Sequence, residues 1–139
     1  YPEPKDEREM GLNRQSGNPL EQVQRVLTKE ELISMQEQAA SVYAKTEVVD
    51  YIVALIDATR NHPMILRGAS PRATLSVTAM AKAVAFIQGR DFIIPKDVQT
   101  VFANTVSHRL LLAPEADAKG VTSDQLLGEI LGRVAAPKL

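Results

Sequence analysis

Apolar side chains recur along much of the chain at the three- and four-residue spacing of amphipathic helices. The clearest stripe begins after Thr46 and ends before Arg60, and its members are Val48, Ile52, Leu55, Ile56 and Thr59. Two further stripes run from Val98 to Val106 and from Leu126 to Val134. Together they predict an all-α fold, a small helical bundle with at most a minor two-stranded ribbon.

Helix start signals support this pattern. Thr28 with Glu31, and Thr122 with Gln125, have the Thr-x-x-Glu/Gln spacing of a capping box. We expect Thr46 to cap the helix that follows it. We expect the ribbon to pair residues 109–112 with Val42 and Tyr43, which favour extended backbone. Residues 113–120 are expected to form a loop.

The stretch Gly68–Leu75 opens the helix around which the rest of the bundle is expected to pack. Ser70 suits the N-cap, and Pro71 suits the first helical position, where its missing N–H is not needed. Apolar residues then cover almost every side of the helix as far as Gln88, which predicts a centrally buried element. Gly89 is expected to end it.

Arg72 does not fit a purely structural explanation. A cation in the first turn opposes the helix dipole and is expected to cost about 0.3–1 kcal/mol. The side chain either pairs with an acidic residue elsewhere, or lies in water, or binds an anion. Free backbone amides beside an arginine guanidinium form a good phosphate site.

Composition narrows the classes of function. Of the 139 residues, 45% are hydrophobic and 4% aromatic, with no Cys, which predicts one domain with an aliphatic core and no thiol chemistry. A net charge of −1 argues against nucleic acid as the main partner. No apolar run approaches the length of about 18 residues that spans a bilayer, so we expect no membrane insertion. The absence of cysteine suits a cytoplasmic protein.

Motifs for phosphoryl transfer are absent. The chain has no Gly-x-x-x-x-Gly-Lys-Ser/Thr loop and no apolar strand ending in paired acids, so we expect no ATP hydrolysis by this chain alone. The 2 histidines, His62 and His108, lack further ligands at helical spacing, so we expect no metal site.

Several short motifs, taken in order, resemble the helical lid of the MoxR family of AAA+ ATPases. They are Gly68-Ala69-Ser70-Pro71-Arg72-Ala73-Thr74-Leu75, Gln88-Gly89-Arg90-Asp91, Ile94-Pro95, Asp97-Val98 and His108-Arg109. The resemblance implies that Arg72 is the sensor 2 residue, which reaches the nucleotide phosphates from the lid. Gly68, Ser70 and Pro71 would complete the nucleotide-binding motif. Ile94 departs from the family, in which Ser or Thr caps the next helix, and should weaken that helix start by about 1 kcal/mol at most.

The resemblance also implies partners and a domain division. Residues 1–19 would be a linker from an ATPase core of the same chain, and residues 20–139 the lid. ATP would bind with magnesium held by that core, in a ring, expected to be a hexamer, of neighbouring subunits. The parent ATPase would remodel or mature other proteins, among them proteins with von Willebrand factor A domains. The alternative is a stand-alone helical protein-binding adaptor that uses no nucleotide. A helix-turn-helix DNA reader lacks the basic recognition helix it would need.

The other charged residues near these motifs have simpler interpretations. Arg67 either assists at the phosphates or lies in water. Arg90 and Asp91 read as a turn with a local ion pair. His108 and Arg109 read as cations that satisfy the last carbonyls of a helix.

Overall fold

The computed structural model describes residues 1–14 and 17–138; Gln15, Ser16 and Leu139 lie outside the described residues. The sequence Ser16-Gly17-Asn18-Pro19 predicts a turn or linker, and the first of these four positions lies outside the described residues. Two units are distinguished, Tyr1–Ile33 and Ser34–Leu139. In chain order the elements are α1 (Pro4–Asn13), a 3-10 turn (Pro19–Gln22), α2 (Lys29–Ser41), α3 (Thr46–Arg60), β1 (Ile65–Arg67), α4 (Pro71–Ile87), α5 (Pro95–Val106), a 3-10 turn (Ser107–Arg109), β2 (Leu111–Leu112), α6 (Pro114–Ala118) and α7 (Ser123–Arg133). The all-α prediction with a minor ribbon is confirmed.

The first unit keeps its apolar side chains at the surface. α1 has no buried residue, and Met10 and Leu12 are 64% and 53% exposed. The carboxamide oxygen of Asn18 accepts a hydrogen bond from the Leu20 N–H at 3.2 Å and so starts the 3-10 turn. This unit therefore contributes local structure rather than an apolar core.

The predicted capping box at the start of α2 is present. Glu31 Oε2 accepts from the Thr28 N–H at 2.7 Å, and Thr28 Oγ1 accepts from the Glu31 N–H at 3.1 Å. The hydrogen bond from the Thr28 N–H lowers the pKa of Glu31, because it favours the ionised carboxylate. This contribution to stability is present at neutral pH and is lost as the pH falls through the lowered pKa.

The second unit is built on α3, α4 and α5. All five members of the predicted α3 stripe are buried, as the spacing indicated. The helix begins at Thr46 with Lys45 as its N-cap, so the expectation that Thr46 caps it is wrong by one position. α4 packs against both α3 and α5, and α7 also packs against both. One apolar cluster therefore holds the helices and the ribbon together.

α4 is buried on one face only, which corrects the prediction of a centrally buried helix. Its buried residues are Ala73, Val77, Ala81 and Ala85. Leu75, Met80 and Ile87, on its other faces, are 72%, 48% and 78% exposed. The small side chains of the buried stripe allow the neighbouring helices to approach closely on that side, and Val84 and Phe86 are partly buried against the same core.

Gly89 ends α4 as predicted. It has a φ of +72°, which an L side chain rarely adopts. The Gly89 N–H donates to Phe86 O at 2.8 Å and the Arg90 N–H donates to Ala85 O at 2.9 Å. These two bonds form a Schellman motif and satisfy carbonyls at the end of the helix.

Arg90 pairs with Asp97 of α5, so the prediction of a local pair with Asp91 is wrong. Its Nη2 and Nη1 atoms lie 2.6 and 2.8 Å from the two carboxylate oxygens of Asp97, whose side chain is 2% exposed. The hydrogen bond to Asp97 raises the pKa of Arg90. Asp97 Oδ2 also accepts from the Ile94 N–H at 2.9 Å. Asp97 thus supplies capping that the Ile94 side chain cannot.

The ribbon forms with a different partner from the one predicted. β2 pairs antiparallel with β1, and Ile65 and Arg67 lie opposite Leu112 and Leu111. Tyr43 instead makes a parallel bridge to Phe92. The packing of the helices brings the paired segments next to each other in both cases. The loop expected after β2, over residues 113–120, contains the short helix α6.

The turn between α3 and β1 holds the buried His62. Its Nδ1 accepts from the Met64 N–H at 3.2 Å, so Nε2 carries the proton in the neutral ring. Nε2 has no hydrogen-bond partner and lies 3.7 Å from Glu129 Oε2 of α7. His62 therefore fixes the start of β1 from inside the core.

We expect Asp97→Ala to destabilise the chain by about 3–5 kcal/mol, because Arg90 loses its counter-charge and the Ile94 N–H loses its acceptor. Asp91→Ala is the matched control, an exposed neighbouring carboxylate whose loss should change stability by about 0.5 kcal/mol or less. Urea unfolding followed by circular dichroism measures both. Similar losses for the two variants would contradict the assignment of Asp97 as the partner of Arg90.

Candidate functional site

The connection from β1 to α4 is held against the end of α3. The buried Thr59 hydroxyl donates to Ile56 O at 2.6 Å and accepts from the Ala69 N–H at 3.0 Å. Arg60 Nε donates to Ala69 O at 2.9 Å. Both backbone polar groups of Ala69 are therefore bonded to side chains of α3, which places the first turn of α4 relative to that helix.

Gly68 is required by the same contact. A Cβ atom at this position would lie 2.6 Å from the backbone nitrogen of Arg60 and 2.7 Å from the carbonyl carbon of Thr59. No side chain fits there unless the backbone moves. The structure thus gives Gly68 a packing role against α3, whereas its predicted role at a nucleotide stays a prediction.

Ser70 occupies the N-cap and Pro71 the first helical position, as the sequence predicted. The Ser70 hydroxyl, however, makes no capping hydrogen bond, which corrects the expectation that it would. The first backbone bond of the turn runs from the Ala73 N–H to Ser70 O at 2.8 Å. The Ser70 hydroxyl, exposed at the start of α4, is available to another acceptor or donor.

Arg72 is exposed at this helix end, next to Pro71. The ion pairs found among residues 1–14 and 17–138 are Arg90–Asp97, Arg133–Glu129 and the close approach of His62 to Glu129. The alternative in which Arg72 pairs with an acidic residue of this chain is therefore not what the structure has. A free cation remains at the positive end of α4.

Arg72 lines an open cleft with a volume of about 860 Å³. Two other arginines, Arg60 and Arg109, line the same cleft, and no acidic residue does. Val53 and Leu75 form the apolar part of the cleft wall. The cleft is thus a positively charged depression at the start of α4, the kind of surface that attracts an anion.

Arg109 reaches the cleft from the turn after α5. Its Nε donates to Thr105 O at 3.1 Å, which confirms the prediction that it satisfies a late helix carbonyl. Its Nη2 also lies 3.3 Å from Ser76 Oγ of α4. The exposed His108 takes no part in these contacts.

Sequence reasoning missed Arg60 and Arg109 as cleft residues. Both lie at the ends of helices, where a cation is usually explained by the helix dipole, and no spacing relates them to Arg72. Arg67, the residue considered as an assistant, is exposed on β1 and does not line the cleft. Only the packing of α3, α4 and α5 brings the three arginines together.

A model of the AAA lid domain matches residues 57–130, more than half of the chain. The chain belongs to the AAA lid domain family. The matched range contains the α3 end, the Gly68–Ser70 connection, the whole of α4 and Arg109. The candidate site therefore lies inside the lid.

Relatives place this lid in the MoxR family of AAA+ ATPases. The chain is similar to chaperone MoxR1 of Mycobacterium tuberculosis, with 34% identity over 100% of this chain and 39% of the relative. It is 32% identical to the uncharacterized protein YeaC of Bacillus subtilis over 99% of this chain and 43% of the relative. A crystal structure of a candidate ATPase from Cytophaga hutchinsonii superposes with a TM-score of 0.85 at 30% identity, over 99% of this chain and 44% of that one.

The chain spans about two fifths of the length of each of these three proteins. No helix in residues 1–14 or 17–138 is long and apolar enough to cross a membrane. Over the same ranges, no group of three or more His, Cys, Asp or Glu residues is arranged to hold a metal ion.

We expect Gly68→Ala to destabilise the lid by about 2 kcal/mol or more, because the added methyl group meets backbone atoms rather than a yielding side chain. Gly128→Ala is the matched control, since a Cβ there meets nothing within 4 Å on α7. That substitution should stabilise by about 0.5–1 kcal/mol. Thermal unfolding of both variants measures the difference, and a neutral Gly68→Ala would show that the α3 contact yields easily.

Proposed function

We propose that this lid supplies Arg72 and the first turn of α4 to the phosphates of an ATP molecule bound by the ATPase core of a MoxR-type protein. The observation that carries the proposal is the unpaired Arg72 in a cleft lined by arginines. Gly68, Ser70 and Pro71 complete the binding motif as the backbone around that cation. Residues 1–19 are the linker from the core in this proposal, and residues 20–139 are the lid.

Arg72 is the sensor 2 residue in this mechanism. Its guanidinium attracts the γ-phosphate while ATP is bound, and the attraction is lost when that phosphate leaves. Because Thr59 and Arg60 hold Ala69, the start of α4 moves together with α3. A change of charge at Arg72 is then converted into a rigid-body movement of the lid against the core.

For the whole protein we propose a cytoplasmic ring ATPase, a hexamer, in which the core holds the magnesium ion. The name of the Mycobacterium tuberculosis relative, chaperone MoxR1, supports a chaperone-like role in remodelling or maturing other proteins. Proteins with von Willebrand factor A domains are the proposed partners. Membership of the AAA lid family favours this function over a stand-alone adaptor.

We expect Arg72→Ala to leave the stability of the isolated chain unchanged, or to raise it by about 0.3–1 kcal/mol, because a cation is removed from the positive end of a helix. In a full-length MoxR-type protein that carries this lid, the same change should lower ATP turnover at least about tenfold. Urea unfolding and a steady-state phosphate-release assay measure the two effects. Arg67→Ala, the loss of a nearby arginine outside the cleft, is the control and should leave turnover unchanged.

If Arg72→Ala lowers the free energy of unfolding of the isolated chain by more than about 2 kcal/mol, Arg72 holds a structural charge pair. Losses of that size are seen when one partner of a buried ion pair is removed. Unchanged turnover in the full-length variant would contradict the sensor role and favour the adaptor.

We also expect the chain alone to hydrolyse no ATP above background, because it carries no phosphate-binding loop. Its affinity for ATP should be millimolar at best, because a helix end and a few exposed cations offset little of the cost of association. Calorimetric titration measures the affinity. Micromolar binding would contradict the proposal that the lid forms only part of the nucleotide site.

A further inference from the structure

The cleft contains more fixed positive charge than contact with a single phosphate group needs. Arg60, Arg72 and Arg109 all line it, without an acidic residue among the lining side chains. Two other arginines of the lid have acidic partners: Arg90 pairs with Asp97, and Arg133 pairs with Glu129. Like charges close together repel one another and oppose folding. An anion bound from outside the chain would relieve this repulsion.

Arg60 and Arg109 are held in a way that leaves their outer edges available. Each donates its Nε–H to a backbone carbonyl, Arg60 to Ala69 O at 2.9 Å and Arg109 to Thr105 O at 3.1 Å. A guanidinium group bonded through Nε still carries N–H donors on Nη1 and Nη2. Arg109 directs one of these toward Ser76 Oγ at 3.3 Å, and its other Nη donors remain available. Both groups are thus positioned before an anion arrives, and little side-chain freedom is lost on binding.

Arg72 differs from this pair because no hydrogen bond or ion pair to another described residue holds its guanidinium. The cleft thus combines two cations held by hydrogen bonds with a third, Arg72, that no other described residue holds. A triphosphate carries several negative charges, so three cations in one cleft attract it more strongly than they attract a single phosphate.

We propose that Arg60 and Arg109 bind the same polyphosphate as Arg72, so that the cleft recognises a triphosphate chain by three cationic contacts. This inference rests on the proposed nucleotide function and extends it to two residues outside the Gly-x-Ser-Pro-Arg motif. Arg60 and Arg109 hold the inner phosphates, and Arg72, whose guanidinium no other described residue holds, responds to the terminal one. The anchored pair keeps the chain of phosphates in place while Arg72 reports on its length.

The inference is tested by titrating the 139-residue chain with inorganic triphosphate and, separately, with inorganic phosphate. Backbone amide NMR shifts of the α4 first turn report binding in the millimolar range. We expect triphosphate to bind more tightly than phosphate, and added salt to weaken triphosphate more, because more charges are paired. Equal affinities for the two anions would overturn the inference.

Variants separate the roles of the three arginines. Arg60→Gln and Arg109→Gln should each weaken triphosphate binding by about threefold or more, a size that exposed charge pairs can reach. Arg109→Lys keeps the charge but lacks the Nε–H, and should fall between wild type and Arg109→Gln. Arg67→Gln, the control, should bind like wild type. Melting curves without anion identify any variant whose weaker binding reflects a damaged fold. If Arg109→Gln is damaged in this way, the binding of Arg109→Lys decides whether Arg109 contacts the triphosphate.

The outcomes distinguish this inference from the proposed function. If Arg60→Gln and Arg109→Gln both bind triphosphate as Arg67→Gln does, the inference is overturned, whatever Arg72→Ala does. If Arg72→Ala alone weakens binding, the sensor role stands without the other two arginines. If only the Arg60 and Arg109 variants weaken binding, a polyphosphate cleft exists but the role of Arg72 fails. No shift change with millimolar triphosphate overturns the three-contact cleft, and the sensor role is then decided by turnover of the full-length protein.

Discussion

The close contact between the Gly68–Ala69 backbone and the end of α3 is the constraint on which the rest of the site depends. Without a side chain at Gly68, the backbone approaches Arg60 and Thr59 within the distance that a Cβ would fill. Thr59 and Arg60 then bond to the N–H and C=O of Ala69. One buried hydroxyl and one guanidinium thus set where α4 begins and in which direction its first turn points.

α4 is fixed at both ends by polar contacts and along its length by small side chains. The Schellman motif at Gly89 and the pair of Arg90 with Asp97 turn the chain into α5. Alanines at positions 73, 81 and 85 let α3 and α5 pack closely on one side. The opposite side exposes large apolar residues to solvent. These contacts support the proposal that α4 moves with the rest of the lid as one body.

Charge is distributed differently at the two ends of α4. At the end near Asp97, an arginine is neutralised by a carboxylate that is 2% exposed, and the pair serves the fold. At the start, Arg60, Arg72 and Arg109 face one cleft without a carboxylate. The first arrangement is complete within the chain, whereas the second has no counter-charge among the residues that line the cleft. This contrast is the physical basis for assigning function to the start of α4 rather than to its end.

The sequence by itself determined the long helices of the second unit and several of the helix starts. The α3 stripe, the capping boxes at Thr28 and Thr122, the start of α4 at Pro71 and its end at Gly89 follow from local periodicity and backbone chemistry, and all appear in the structure. These signals depend on residues only a few positions apart, so they specify a helix without contacts from distant parts of the chain. The motif around Arg72 likewise indicated the family without any tertiary information.

Only the tertiary structure decided which charged groups meet. Arg90 pairs with Asp97 rather than with its neighbour Asp91, because the turn after α4 points the guanidinium back at α5. The ribbon joins β1 to β2 because helix packing brings those two segments together. Arg60 and Arg109, far apart in sequence from each other, reach the cleft of Arg72 for the same reason. Pairing between distant residues depends on how α3, α4 and α5 pack, and no local pattern encodes it.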